Sequence, residues 1–248
     1  MTHIFLQART SSTRLPNKVL LPFYNDKNIL DIIVEKLQKH FPLIPIIVCT
    51  TNNKRDSEII KFCEKRNLNY FRGDEKNVLK RFIDAGHYYK CQNIIRICSD
   101  NPFLDINFLN ELIAFHNENP EADYWSFKNG KNIPVIKTHF GFFCEIVTLK
   151  ALEDVASITS ESIYLEHVTN FIYEDKRFKC EFKTLPNFLK DRNDLRFTID
   201  DIFDFEMLQK IYTYYKEFNE DIMKTIFFVE KNPSLLKHMI TNINKYSK

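Results

Sequence analysis

A chain of 248 residues, 44% hydrophobic and 27% charged, is long enough for one large α/β domain with a well-buried core. Its 35 Lys and Arg face 33 Asp and Glu, and a net charge of +2 argues against a general nucleic-acid binder, whose surface should be distinctly basic. The six cysteines form no CxxC pair and no Cys/His cluster at zinc spacing, and several sit in apolar runs such as Ile46-Ile47-Val48-Cys49. They read as reduced core residues. No apolar stretch approaches the roughly 20 residues of a membrane span. Residues Met1-Thr2-His3-Ile4-Phe5-Leu6 lack the charged and long apolar regions of a signal peptide. The expectation is a cytoplasmic protein with no membrane insertion.

The first two thirds alternate short apolar runs with amphipathic stretches. His3–Leu6 is predicted as a strand and Ile29–Lys39 as a helix, with Ile29, Ile32, Ile33, Lys36 and Leu37 at helical spacing. A strand at Ile44–Thr50 and a helix at Asp56–Arg66 follow. Then come a strand near Asn69–Phe71, a helix at Asn77–Tyr89, a strand at Asn93–Cys98 and a helix at Ile106–Asn117. Strands spaced by helical segments of about 10–15 residues predict a mostly parallel sheet flanked by helices. After Pro120 the rhythm changes. Tyr124–Phe127, Pro134–Thr138 and Phe142–Val147 are predicted as strands, the first two joined by a turn at Lys128-Asn129-Gly130-Lys131. Helices at Leu149–Ala156 and Ser160–Tyr173, a strand at Lys179–Leu185 and a mostly helical tail from Ile202 to Lys245 complete the reading, with Pro233 suited to a first helical turn. The expectation is a single domain with a small antiparallel insertion around 128–180. Only four glycines are present, so few positions can take a positive φ without cost.

Three segments carry chemistry. The stretch Gln7-Ala8-Arg9-Thr10-Ser11-Ser12-Thr13-Arg14-Leu15-Pro16-Asn17-Lys18 follows the first strand, holds three cations and precedes the first acidic residue, Asp26. Ligands of a parallel α/β sheet bind beyond the carboxyl ends of its strands. Three unopposed cations among hydroxyl and amide side chains there suit a polyphosphate. It is neither a Walker A motif nor a Gly-x-Gly-x-x-Gly turn. In Arg96-Ile97-Cys98-Ser99-Asp100-Asn101-Pro102, an apolar strand ends in Asp100, a position from which a carboxylate can hold Mg²⁺ or cap the next turn. Leu195-Arg196-Phe197-Thr198-Ile199-Asp200-Asp201 repeats that logic, with a short strand delivering Asp200 and with Asp201 or Asp204 as cap and first-turn acid.

The first of these segments resembles the signature of the CMP-sugar synthetases, the acylneuraminate and Kdo cytidylyltransferase family, and most of all its spore-coat-polysaccharide branch. Further matches come in order: Phe71-Arg72-Gly73-Asp74 with Val78-Leu79-Lys80-Arg81, Arg96 to Asp105, Leu165-Glu166-His167-Val168-Thr169, and Leu195 to Asp200. The resemblance spans roughly residues 3–215. It implies a Rossmann-like nucleotidyltransferase fold and transfer of CMP from CTP to a sugar acid, nonulosonic or Kdo-like, for surface-glycan synthesis. Arg9, Arg14 and Lys18, with Ala8 and Ser12 in the same loop, would hold the CTP phosphates. Arg72 would lie near the nucleotide, and Asp100 and Asp200 would be the Mg²⁺ ligands. Arg14, Lys18, Asp100 and Asp200 are thus the candidate catalytic set. Glu145, after a strand-like run, and His167, beside Glu166, are candidate sugar contacts. Relatives often dimerise through the inserted strands, which makes a homodimer through the apolar 133–147 segment an expectation too. Asn17 and Ser99 stand where the family usually has Gly, Asn25-Asp26-Lys27-Asn28 where relatives carry a Gly-Lys-Pro turn, and Ile202-Phe203 where Pro-Glu is usual. The alternatives are a nucleotidyltransferase for a polyol, phosphorylated or phosphonate acceptor, and a non-catalytic nucleotide-binding homologue.

Overall fold

In the computed structural model, which describes residues 1–246, the strand–helix alternation builds one seven-stranded sheet. β1 (Thr2–Gln7) leads through a long loop to two short strands, β2 (Pro22–Tyr24) and β3 (Lys27–Asn28), which form a small antiparallel sheet of their own. Helix α1 (Ile29–His40) begins at Asn28, whose side chain accepts from the Asp31 N–H while the Asp31 carboxylate accepts from the Asn28 N–H, a reciprocal cap. β4 (Ile46–Thr51), α2 (Ser57–Lys65), β5 (Asn69–Gly73), α3 (Val78–Tyr88), β6 (Asn93–Cys98), α4 (Ile106–Glu118) and β7 (Tyr124–Lys128) follow. Next come β8 (Glu145–Thr148), α5 (Leu149–Ile158), α6 (Ser162–Glu166), α7 (Asn170–Glu174), β9 (Cys180–Thr184), α8 (Ile202–Glu217), α9 (Ile222–Glu230) and α10 (Pro233–Lys245).

The sheet order is β5-β4-β1-β6-β8-β7-β9. All neighbours run parallel except β8, which is antiparallel to both β6 and β7. Every residue of β4 is buried, as expected for a strand covered on both faces. One apolar core joins α1, α2, α4 and α8 to one face, and a second packs α3 and α5 on the other. From β1 the chain moves outward to β4 and β5, then returns to the opposite side of β1 as β6. The strand order therefore reverses between β1 and β6, and the crevice beyond their carboxyl ends is where such sheets take ligands.

The predicted elements up to β7 hold to within a few residues. Beyond it the chain departs from the simple pattern. Residues Pro134–Thr138 are not a strand: Val135–Lys137 forms a single 3₁₀ turn, and one antiparallel bridge from Lys128 to Pro134 is all that remains of the expected hairpin. The apolar segment before β8 turns inward, with Phe140, Phe142 and Phe143 buried in the chain's own core. The helix predicted over Ser160–Tyr173 is broken between α6 and α7, where Val168 takes a φ of 47°. The strand expected at residues 195–200 does not form: the segment lies outside the sheet, held by Phe197 N–H to His139 O and Ile199 N–H to Asp100 O. Among the described residues no helix is long and apolar enough to cross a membrane.

Candidate active site

The loop after β1 is shaped by a buried acid. Asp56, fully buried, accepts from the Thr10 N–H at 2.7 Å and the Thr10 hydroxyl at 2.6 Å, and from the hydroxyl of Thr51 at the end of β4. A buried carboxylate with three donors is well satisfied, so it pins the loop to the sheet rather than to solvent. Asn17 then turns the chain back with φ 59°, its N–H donating to Thr10 O at 3.0 Å. Asparagine enters this left-handed region more readily than most residues, so it replaces the glycine expected there. The turn delivers Lys18 under the loop, with only 11% of its side chain exposed.

Lys18 Nζ donates to Asp100 Oδ2 at 3.0 Å and to Ile199 O at 2.5 Å. It therefore joins the end of β6 to the 195–200 segment, which the Ile199 N–H to Asp100 O bond at 3.2 Å ties from the other side. Arg14 pairs with Asp200 through Oδ1, and Arg196 with the same carboxylate through Oδ2. The two aspartates, far apart in sequence, thus open on one cleft beside the basic loop. That cleft has a volume of about 810 Å³, and Arg9, Ser12, Arg14, Lys18, Asp100 and Asp200 all line it. Arg9 reaches across to Glu166 at 3.4 Å, both side chains exposed, and His167 lies on the same wall.

Three sequence-predicted residues are placed otherwise. Ala8 is buried, its N–H committed to Cys49 O, and does not line the cleft. Arg72 turns its guanidinium to Thr51 O and Asn53 O, each at 3.1 Å, and so braces the β4 end instead of facing the cleft. Glu145 is 1% exposed and saturated: it pairs with Arg96 and accepts from the hydroxyls of Tyr124 and Thr169. Burial and this carboxylate hold the Tyr124 phenol well above its usual range, so it stays a donor. Arg96 in turn donates to Gln7 Oε1 at 3.0 and 3.3 Å on the cleft floor, which makes Glu145 a support for that floor.

A cationic loop, one carboxylate just past β6 and a second just before α8 meet in the crevice at the topological switch point, where phosphate and metal ligands suit such groups. A family model described as cytidylyltransferase matches residues 4–238. The chain belongs to the cytidylyltransferase family. It is accordingly a CTP-dependent nucleotidyltransferase. An uncharacterised protein of Methanocaldococcus jannaschii is 38% identical over 98% of this chain and 95% of its own. The spore coat polysaccharide biosynthesis protein SpsF of Bacillus subtilis is 30% identical over 84% of each chain. A solved cytidylyltransferase structure from Leptospira borgpetersenii superposes with a TM-score of 0.81 at 30% identity, covering 95% of this chain and 96% of that one.

Beneath the cleft of this cytidylyltransferase lies a buried cluster whose pairing carried no local signal in the sequence. Arg196 and Asp204, both fully buried, pair at 2.8 Å, while His139 Nδ1 meets Arg196 at 2.6 Å and Asn242 donates to Asp204 at 2.8 Å. This cluster holds Asp200 from below, with the Asp200 N–H donating to Asp204 at 2.9 Å. Asp201 caps α8 as expected, but Asp204 is an ion-pair partner beyond its first-turn role. Among the described residues, no group of three His, Cys, Asp or Glu side chains is arranged to hold a metal. Two carboxylates suit a divalent ion that takes its remaining oxygens from phosphate and water. Asn101 Oδ1 and Thr198 Oγ1, in residues that line the same cleft, are themselves buried and have no hydrogen-bond partner among the described residues.

Proposed function

We propose that this enzyme joins CMP from CTP to a sugar acid with release of pyrophosphate, as a step in building surface glycans in the cytoplasm. The supporting observation is the meeting of Arg14 and Lys18 with Asp100 and Asp200 in one cleft. In this reading the acceptor hydroxyl attacks the α-phosphorus in line. A new O–P bond forms, the bond to the bridging oxygen breaks, the hydroxyl proton is lost, and pyrophosphate departs with the electron pair. Such transfer depends on positioning and on neutralising spreading negative charge.

Arg14 and Lys18 supply that charge from fixed positions, and Arg9 adds a third cation at the mouth. Their present partners are carboxylates, so binding a triphosphate exchanges one anion for another without stranding a cation. Asp100 and Asp200 would hold Mg²⁺, which supplies Lewis-acid polarisation of the α-phosphate and of the attacking hydroxyl. The other wall, with Lys137, Glu166, His167 and Asn170, is left for the acceptor. The family relationship to a polysaccharide biosynthesis protein supports a sugar as that acceptor.

Pyrophosphate release from CTP and Mg²⁺ should appear with a sugar acid and be abolished by Lys18→Ala. A panel that also holds polyols and phosphorylated acceptors decides the class: turnover confined to those would overturn the sugar-acid reading while leaving the CTP site intact.

A further inference from the structure

We infer that Tyr246, just past the end of α10, is a positioning residue for Arg14, an inference that rests on the phosphate-binding reading of that arginine. The Arg14 guanidinium lies 4.4 Å from the centre of the Tyr246 ring, and Arg196 lies 5.4 Å from the same ring. The Tyr246 hydroxyl donates to Asp201 Oδ2 at 2.8 Å, beside which Lys245 sits at 3.4 Å. Asp201 Oδ1 meanwhile caps α8 through the Asp204 N–H at 2.9 Å. The ring is therefore anchored to the same helix start that presents Asp200, and Tyr246 itself lines the cleft.

The chemistry explains why such a platform is useful. Arg14 is long and 45% exposed, and among the described residues its other partner is Asp200, which it must give up to meet a triphosphate. A second carboxylate would compete with phosphate for its charge. A neutral aromatic face does not: it attracts the guanidinium while leaving the N–H groups free to donate at the edge. Tyr246 thus keeps Arg14 over the cleft during the exchange and reduces the freedom lost on binding.

Tyr246→Leu removes the ring and is expected to weaken CTP binding, read by calorimetry and as KM for CTP, about tenfold. KM for the acceptor and the thermal midpoint should stay close to wild type. Tyr246→Phe, which keeps the ring, should recover most of the loss. In an Arg14→Ala background, Tyr246→Leu should have no further effect. An equal loss in that background, or unchanged CTP affinity in Tyr246→Leu, overturns the inference. So does a loss that merely follows a falling thermal midpoint. If Arg14→Ala alone binds CTP normally, the phosphate role of the loop is what fails, and that result is separate from the other three.

Discussion

Two layers of charge lie on top of each other at this site, and they differ in what they can release. In the upper layer Lys18–Asp100 and Arg14–Asp200 face the cleft, with the carboxylates 34% and 16% exposed. In the lower layer Arg96–Glu145 and Arg196–Asp204 are sealed, with every side chain at 6% exposure or less. The residue types are the same; the surroundings are not. An open pair can trade its partner for a phosphate or a metal because water and ligand replace what is lost. A sealed pair cannot, since an uncompensated buried charge is costly. The lower layer is therefore fixed in place, whereas the pairs of the upper layer are open to exchange.

The contrast can be broken from the bottom first. Glu145→Ala strands the buried Arg96 and is expected to cost about 3–5 kcal/mol of folding stability, measured by denaturant unfolding. A loss of activity with stability unchanged would move Glu145 up into the reacting layer. Asp100→Asn tests the upper layer. It should lower kcat by ~10²-fold or more with the fold retained, and near-normal turnover would remove Asp100 from the chemistry.

The smallest effect concerns a pair of mixed character. Lys36 of α1, buried, meets Glu220, in the turn after α8, at 2.8 Å. Burial tends to raise the Glu220 carboxyl, but Lys36 and Lys216 overcome it and bring the group down to about 2. Because the folded value lies below the unfolded one, the stability it contributes is present above the ordinary carboxylate range. It is lost as pH falls from about 4.5 toward 2. Glu220→Gln should flatten the acid limb of the stability–pH curve over that window and leave turnover at neutral pH unchanged. A curve identical to wild type would place Glu220 with the open, inconsequential surface pairs.

Much of the fold was legible because β1 to β7 follow local rules: Ile and Val runs for covered strands and apolar spacing for helices. The 134–144 segment was misread because its Phe-rich pattern is satisfied by burial alone, without a ladder. Periodicity reports burial, and a strand also needs a partner. Val168 could not be foreseen either, since a β-branched residue at φ 47° is stable only where surrounding contacts fix it. The low glycine count proved a weaker restriction than it looked. Asn17, Asn25, Asp26, Asn67, Asn132 and Asn219 all take positive φ, so the short polar side chain does what glycine does elsewhere.

At the site, the sequence by itself determined which cations and carboxylates line the cleft: Arg9, Arg14 and Lys18 share one polar stretch with no acid before Asp26, and Asp100 and Asp200 follow largely apolar runs. Only the tertiary structure decided that Glu145, Arg196, Asp204 and His139 belong beneath them and that Tyr246 reaches back over Arg14. The physical reason is distance along the chain. A buried ion pair is defined by a partner brought in from far away, and neither member carries a sign of it until the core has closed around both.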